Sequence, residues 1–547
     1  VKLDPSGWRT RLDEETIARY VADGSWLNRT IADRLDEVAA RNPAAPLVID
    51  GVRTLTAGDL QSAARRLSGA MAGMGLHAGD VVSFQLPNWH EAVIVDLACA
   101  YGGFVSNPIV PIYRDAEVNF ILANARSRLL FVTENFRGFN YADMVDRLRS
   151  NWPHLIDVVF VRGDNARGRS MDDLLAKQAV AATSRPRPDD VKLIMYTSGT
   201  TGPAKGVLHT HNTLGAEISN FIKWLGLSGN DVLLMPSPLT HITGYLYGLM
   251  LPITLGNPVI LMDFWKASVA ADLIEKHAVT FTLGATPFLQ ELTALARSEH
   301  RGFPTLRYFP TGGAPVPPEV IHEARQAFEN AVSFRIYGST EAPTVALGVP
   351  DPDREDLAAN TEGYVVGHDI RLVDDHGREV ADGEEGEIIS RGPENCVGYA
   401  NWDDNAEAFD PEGFFHTGDL ARRTPEGCLV ITGRKKDLII RGGENLSPKE
   451  VEDVLYTHPS IKEAAVVAMP HRRLGETGCA FVTLKSGALF TFDDMIKLLE
   501  NSGLAKQKFP ERLEVVDSLP YTVAGKIRKT VLRDQIRTRI AEENAVR

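Results

Sequence analysis

Residues 196–207 read YTSGTTGPAKGV, and the fold turns on what this stretch is. The apolar run Leu193–Tyr196 predicts a strand. It delivers the chain into a turn that holds Thr197, Ser198, Thr200 and Thr201 with Gly199 and Gly202, and Lys205 follows. Glycine lets successive backbone N–H groups converge on one anion, while hydroxyls add donors and a lysine adds charge. Phosphate is the natural guest. The Walker spacing is absent, because TTGPA separates Gly199 from Lys205 and Gly206, not Ser or Thr, comes next. That excludes the P-loop of a kinase or GTPase. Taken alone, the turn could equally be a plain connection between two elements, so its company decides.

Working outward, short apolar runs alternate with amphipathic helical patterns, as an α/β architecture requires. Asp80–Leu86, Gly103–Pro108, Leu129–Thr133, Val158–Val161 and Leu193–Tyr196 read as strands, and Glu91–Ala100 as a helix. After Glu362 the texture changes to short strands and turns, predicting a small β subdomain over about 362–433. The charged run Gly433–Asp437 marks the last break. Beyond it lie about 110 residues, enough for an independent domain. Within them Pro448 opens a helix in its first turn, Ala464–Met469 and Ala480–Leu484 read as strands, and Phe492–Leu499 as another helix.

The 547 residues, 44% hydrophobic and 24% charged, describe a globular chain long enough for several domains. A net charge of -14, spread along the chain, argues against a nucleic-acid binder or an anionic-membrane binder. Any anionic ligand must therefore meet a local site. Cys99, Cys396, Cys428 and Cys479 form no CxxC pair, which suits reduced, buried thiols and a cytoplasmic address rather than zinc or disulfides. The N-terminal VKLDPSGWRT lacks a signal peptide's apolar core. Between Asp231 and Asp263 His241 is the sole ionisable side chain, but Pro236, Pro238, Pro252 and Pro258 interrupt the roughly 20 apolar residues a membrane span needs. A buried helix between turns, without stable membrane insertion, is the expectation.

Six further signatures accompany the opening stretch: Tyr337-Gly-Ser-Thr-Glu341, Gly386-Glu-Ile-Ile-Ser-Arg-Gly-Pro with Gly398-Tyr399, Phe415-His-Thr-Gly-Asp419, Gly433-Arg-Lys-Lys-Asp437, Gly442-Gly-Glu-Asn-Leu-Ser-Pro448 and Gly525-Lys-Ile-Arg528. In this order and at these separations, the set resembles the adenylate-forming (AMP-binding) enzymes. These include acyl-CoA synthetases, adenylation domains of peptide synthetases and beetle luciferases. The resemblance is greatest to the acyl-CoA synthetase branch that takes medium-chain, alicyclic or aryl carboxylates, and it spans about Thr30 to Arg533. It implies an α/β fold with a large N-terminal domain of α/β subdomains plus the small β subdomain (1–433), a hinge (434–438) and a small mobile α+β C-terminal domain (439–547).

The reaction so implied joins a small-molecule carboxylate to ATP, giving acyl-AMP and pyrophosphate. CoA then attacks to give a thioester and AMP. Two anions meet in the first step, so positive charge and donors must offset their repulsion. By resemblance, Thr197, Ser198, Gly199, Thr200, Thr201, Gly202 and Lys205 hold the leaving phosphates, and Thr200 adds to the catalytic set. Glu341 ligates Mg²⁺, a hard ion suited to a carboxylate, phosphates and waters. Gly313, Ala314 and Pro315 line the adenine, with Tyr337, Gly338, Ser339 and Thr340 opposite. Asp419 accepts the ribose hydroxyls, with Arg434 beside it; alone, Asp419 could also cap a helix begun by Leu420. Lys526 bridges the carboxylate and the α-phosphate, and its acetylation would be a regulatory switch. Lys436 occupies the hinge position. Gly442, Gly443 and Glu444 flank the CoA channel after the small domain rotates, and a homodimer is an assembly open to such a chain.

The resemblance implies that the acid lies between the segment after Pro236–His241 and the Tyr337–Thr340 motif, with His241, Tyr245, Gly313 and Gly338 lining it. His241 either gates the carboxylate or is a hydrogen-bonded structural histidine. Gly244 and Gly248 are expected to leave room beside Tyr245 and Tyr247. Relatives that take amino acids carry an aspartate here, whereas Val232–Met262 contains no acid. A buried ammonium without a partner costs several kcal/mol, which points to an uncharged apolar acid. His471 stands where relatives more often place Asp after the proline. The rival readings are a freestanding enzyme that loads a carrier protein, a luciferase-like oxidase, and a non-catalytic nucleotide-binding protein.

Overall fold

The computed structural model describes residues 1–163, 168–176, 185–197, 204–314, 316–442, 444–521 and 526–546. Ser198, Gly199, Thr200, Thr201, Gly202, Pro315 and Gly443, each assigned a role above, lie outside the described residues.

Two large sheets share one core. In the first, seven strands run in the order Arg169–Ser170, Asp157–Val161, Leu129–Thr133, Val81–Gln85, Val105–Pro108, Val191–Thr197 and Lys205–Thr210. All neighbours are parallel except the last pair, an antiparallel hairpin that sets Thr197 opposite Lys205. The nine-stranded second sheet is parallel from Val332–Tyr337 through Tyr308–Gly312, Phe281–Thr282, Leu233–Met235 and Val259–Leu261 to Pro46–Ile49. Helix His90–Gly102, buried nearly all round, packs in the same cluster as Val82 and Phe84 of the first sheet and Leu233 and Val259 of the second. A helix apolar on every side has no solvent face to present. The parallel strands, apolar on both faces, match that burial.

The uncharged Asp231–Asp263 stretch is strand, helix and strand. Leu233–Met235 leads to the helical pieces Ile242–Gly244, Tyr245–Met250 (one turn of π-helix) and Leu251–Leu255, and Val259–Leu261 follows. Among the described residues no helix is long and apolar enough to cross a membrane. The expectation that Gly244 and Gly248 make room is corrected here. A Cβ on Gly244 would lie 2.0 Å from the Pro238 carbonyl oxygen, and one on Gly248 would lie 2.4 Å from Met235 Cγ. These glycines let the helix close onto the strand before it. They leave no space for a ligand.

The predicted β subdomain is a four-stranded antiparallel sheet, Asp369–Val373, Gly386–Arg391, Phe415–Arg423 and Leu429–Arg434. Beyond it, Ile439–Arg441, Glu444–Leu446, Ile461–His471, Gly475–Leu484 and Arg512–Val515 form a separate sheet. Helices Pro448–Tyr456 and Phe492–Asn501 pack on one side and Lys529–Val546 on the other, each over its own apolar cluster. The small domain thus has a core of its own. All four cysteines are free and buried, as expected. His471 Nδ1 accepts from the backbone N–H groups of Arg473 and Leu474, the work an aspartate would do at that turn.

Candidate active site

Asp419 lies in strand Phe415–Arg423 directly opposite Arg434 of the next strand, so the helix-cap alternative falls. Arg434 Nε meets Asp419 Oδ1 at 2.8 Å. From the end of strand Val332–Tyr337, the Tyr337 hydroxyl donates to Asp419 Oδ2, also at 2.8 Å. The carboxylate is therefore held from two sides. Burial first, and the charge of Asp419 second, push the Tyr337 phenol far above its ordinary range, so it stays a neutral donor. A cavity of about 290 Å³ opens here, lined by Thr417, Gly418, Asp419, Arg434, Lys435 and Lys436.

The end that carries Lys205 and Glu341 is built around Tyr399. Its hydroxyl donates to Glu341 Oε1 at 2.9 Å, and Lys205 Nζ stands 5.0 Å from the centre of its ring. Lys205 also approaches Asp404 at 3.9 Å. One aromatic ring thus spaces the acidic and basic members of this end. Glu341 is further tied through its carbonyl, which accepts from the Cys396 backbone. The preceding Thr340 carbonyl accepts from buried His209 Nε2 at 2.7 Å. Burial holds that imidazole down to about 4, so it is neutral. One half-buried carboxylate, with one oxygen bonded to a phenol, is a donor set that fits Mg²⁺, which takes few protein ligands beside phosphates and waters.

Lys526 comes from the small domain and stands within electrostatic range of Arg434, Asp419, Glu341, Lys436 and His241. Burial first, then the Arg434 charge, lowers its ammonium to about 8, against the opposing pull of Asp419 and Glu341. His241, at the start of helix Ile242–Gly244, is held to about 4 by burial and then by Lys526. It is therefore a neutral imidazole near pH 7.

Near the expected adenine edge, Gly312 ends its strand where a Cβ would fall 2.4 Å from the Ile336 carbonyl, while Gly313 is exposed with φ +78° and Ala314 is half-buried. Gly338 carries the same burden as Gly312: its Cβ would lie 2.2 Å from the Thr344 nitrogen. Tyr245 is fully buried with its hydroxyl on Asp96 at 2.9 Å, and Asp96 is in turn paired to buried Lys192 at 2.8 Å. Gly442 and Glu444 sit at an exposed hairpin tip, not among the gathered residues. The structure therefore brings together Lys205, Tyr337, Glu341, Asp419, Arg434, Lys436, His241 and Lys526. Sequence reading missed the Tyr399 bridge. That tyrosine was visible only as part of a signature, and no pattern along the chain pairs it with Glu341.

A parallel two-sheet core, a carboxylate–guanidinium pair lining a cavity and a lysine brought in by a second domain define an adenylate-forming enzyme. The chain belongs to the AMP-binding enzyme family: that family's model matches residues 35–400, and the model for its C-terminal domain matches residues 450–526. It is 35% identical, over 97% of its length and 94% of the relative's, to a medium-chain fatty-acid–CoA ligase of Escherichia coli. It is 33% identical, over 95% of each chain, to the 2-hydroxy-7-methoxy-5-methyl-1-naphthoate–CoA ligase of Streptomyces carzinostaticus. Its fold matches the crystal structure of the anthranilate CoA ligase AuaEII in complex with anthranoyl-AMP, with TM-score 0.86 and 22% identity over 94% of this chain and 98% of that one. It is an acid–thiol ligase of the AMP-forming kind.

Proposed function

We propose that the protein activates an uncharged apolar carboxylate (medium-chain fatty, alicyclic or aryl) with ATP and passes the acyl group to CoA. The observation that carries this reading is Lys526, placed by the small domain among Asp419, Glu341 and His241. The acid enters past neutral His241 and attacks the α-phosphate. Lys526 meets the negative charge that grows on the pentavalent centre. Asp419 and Arg434 fix the ribose, Tyr337 and the Gly313–Ala314 edge fix the base, and Lys205 holds the departing phosphates. Bound at Glu341, Mg²⁺ would neutralise phosphate charge.

Val232–Met262 has no acid, but Asp96 and Glu217 reach its tyrosines from other elements. Asp96 is neutralised by Lys192, and burial, then neighbouring Glu394, raises Glu217 far above the ordinary carboxyl range. Neither offers a free charge to an ammonium, so an α-amino acid remains disfavoured.

The second half-reaction needs Lys526 to withdraw. We place the pivot at 434–438, and the Gly442–Glu444 tip then comes to the CoA channel. The test is a pyrophosphate-release screen over straight-chain, cyclohexyl and aryl acids with ATP, Mg²⁺ and CoA. Release with an apolar acid supports the reading, and no release with any acid overturns it. Replacing CoA by a phosphopantetheinyl carrier protein separates the two acceptors: faster turnover with the carrier would reassign the second substrate.

A further inference from the structure

Two walls flank the space assigned to the acid: the helical segment that begins at His241, and the loop that follows Tyr337. Along each, accessibility falls in the same direction. His241 and Thr243 are half-buried while Tyr247 is 2% exposed; Gly338 and Ser339 are half-buried while Thr344 is 7% exposed. The walls meet where both are sealed, because the Tyr247 hydroxyl is hydrogen-bonded to Thr344 Oγ1.

This junction is pinned from a third element. Glu217 of helix His211–Leu225, 1% exposed, accepts from the Tyr247 hydroxyl at 2.5 Å. Its carboxyl also pairs with that of buried Glu394, whose Oε1 accepts from Asn220 Nδ2. Behind the Tyr247 ring lies Phe221, with centroids 4.3 Å apart, and behind Phe221 lies Phe281 at 5.8 Å. The ring cannot retreat. Tyr247 sits in the π-helical turn Tyr245–Met250, an irregularity often found at functional sites.

The partner side is just as constrained. Thr344 has φ +41°, a conformation that costs a β-branched residue about 1–3 kcal/mol and persists where surroundings impose it. Its nitrogen lies under Gly338 so closely that no side chain fits between them. The floor and the wall bearing the Tyr337–Glu341 motif are therefore one rigid unit.

We infer that the Tyr247–Thr344 pair is the floor of the acyl site and the residue pair that limits substrate length, so that the acid is compact and ends against the tyrosine ring. This rests on the ligase reading above and on the acid lying between the two walls. The floor's own polar atoms are engaged with one another, so the ring offers the substrate an apolar end-stop.

The experiment measures kcat/KM with straight-chain acids and with para-alkylbenzoic acids of rising length. The unaltered chain should lose activity with length in both series. Tyr247→Ala should raise the ratio of long-acid to short-acid kcat/KM by about tenfold or more per methylene newly accommodated. Tyr247→Phe keeps the ring and should leave that ratio as it was, whatever it does to the absolute rate. The ratio does not depend on how much of a sample is folded. If Tyr247→Ala gives no folded protein, Thr344→Gly, which removes the other half of the floor and relieves its backbone, should shift the ratio in the same direction. An unchanged ratio in the folded variant overturns the inference while leaving the ligase reading intact. No pyrophosphate release by the unaltered chain with any acid overturns both.

Discussion

Lys526 carries a charge that its site makes easy to remove. Its ammonium is lowered to about 8, so the protonated form that the proposed mechanism needs is complete well below that pH and lost as pH rises through it. The kcat/KM for ATP in pyrophosphate exchange should therefore fall about tenfold per pH unit above about 8. Lys526→Arg should move that limb out of range, since a guanidinium stays charged beyond pH 12. A profile flat through pH 9, or one unaltered by Lys526→Arg, would assign the charge elsewhere. Lys526→Ala should abolish exchange but spare CoA attack on supplied acyl-AMP; loss of both would refute the division of labour. Acetylation of Lys526 removes the same charge and should suppress the first half-reaction alone, and undiminished exchange by a fully acetylated sample would exclude it as a switch. The signature around Lys526 was legible in sequence, because glycine, lysine and their spacing are local. Its lowered pKa was not, since that arises from burial against a different domain and then from the Arg434 charge.

At the scale of elements, local periodicity announced the strands and helices well, and long-range contact announced nothing. The small β subdomain expected after Glu362 is present as a four-stranded sheet, and the helix opened by Pro448 falls where the sequence put it. The two glycines of the apolar helix show the limit. Read along the chain they leave room, but in the fold the Pro238 carbonyl and Met235 already fill it. Gly244→Ala should accordingly destabilise the protein by about 1–3 kcal/mol through overpacking, seen as a lower denaturation midpoint, without changing the order of preferred acids. Gly248→Ala should cost less, because its contacts are the Met235 and Leu239 side chains and not backbone. A changed acid preference with unchanged stability would restore the glycines to the pocket. Glu217 and Thr344 were silent in sequence and Tyr399 showed only within a signature: each acts through a partner between 30 and 97 positions distant, with no spacing rule to reveal it.

The whole molecule is poised for one of its two reactions. On the proposed function, Lys526 within electrostatic range of Asp419 and Glu341 serves adenylation, and the proposed pivot at 434–438 is held from the small domain. Arg533 of helix Lys529–Val546 pairs with Asp437 and reaches the Lys436 carbonyl at 3.5 Å, while Ser447 Oγ donates to the Thr432 carbonyl at 2.5 Å. Thioester formation requires these contacts to yield, with the backbone change absorbed at a few positions. Proline at 436 would fix φ near about −65° and remove an N–H. Lys436→Pro should therefore slow transfer from supplied acyl-AMP to CoA far more than it slows pyrophosphate exchange, because exchange needs only the arrangement already present. Stopped-flow measurement of the two half-reactions on one preparation decides the matter. Equal loss in both would mean that the segment around Lys436 shapes the nucleotide site instead of pivoting the domain.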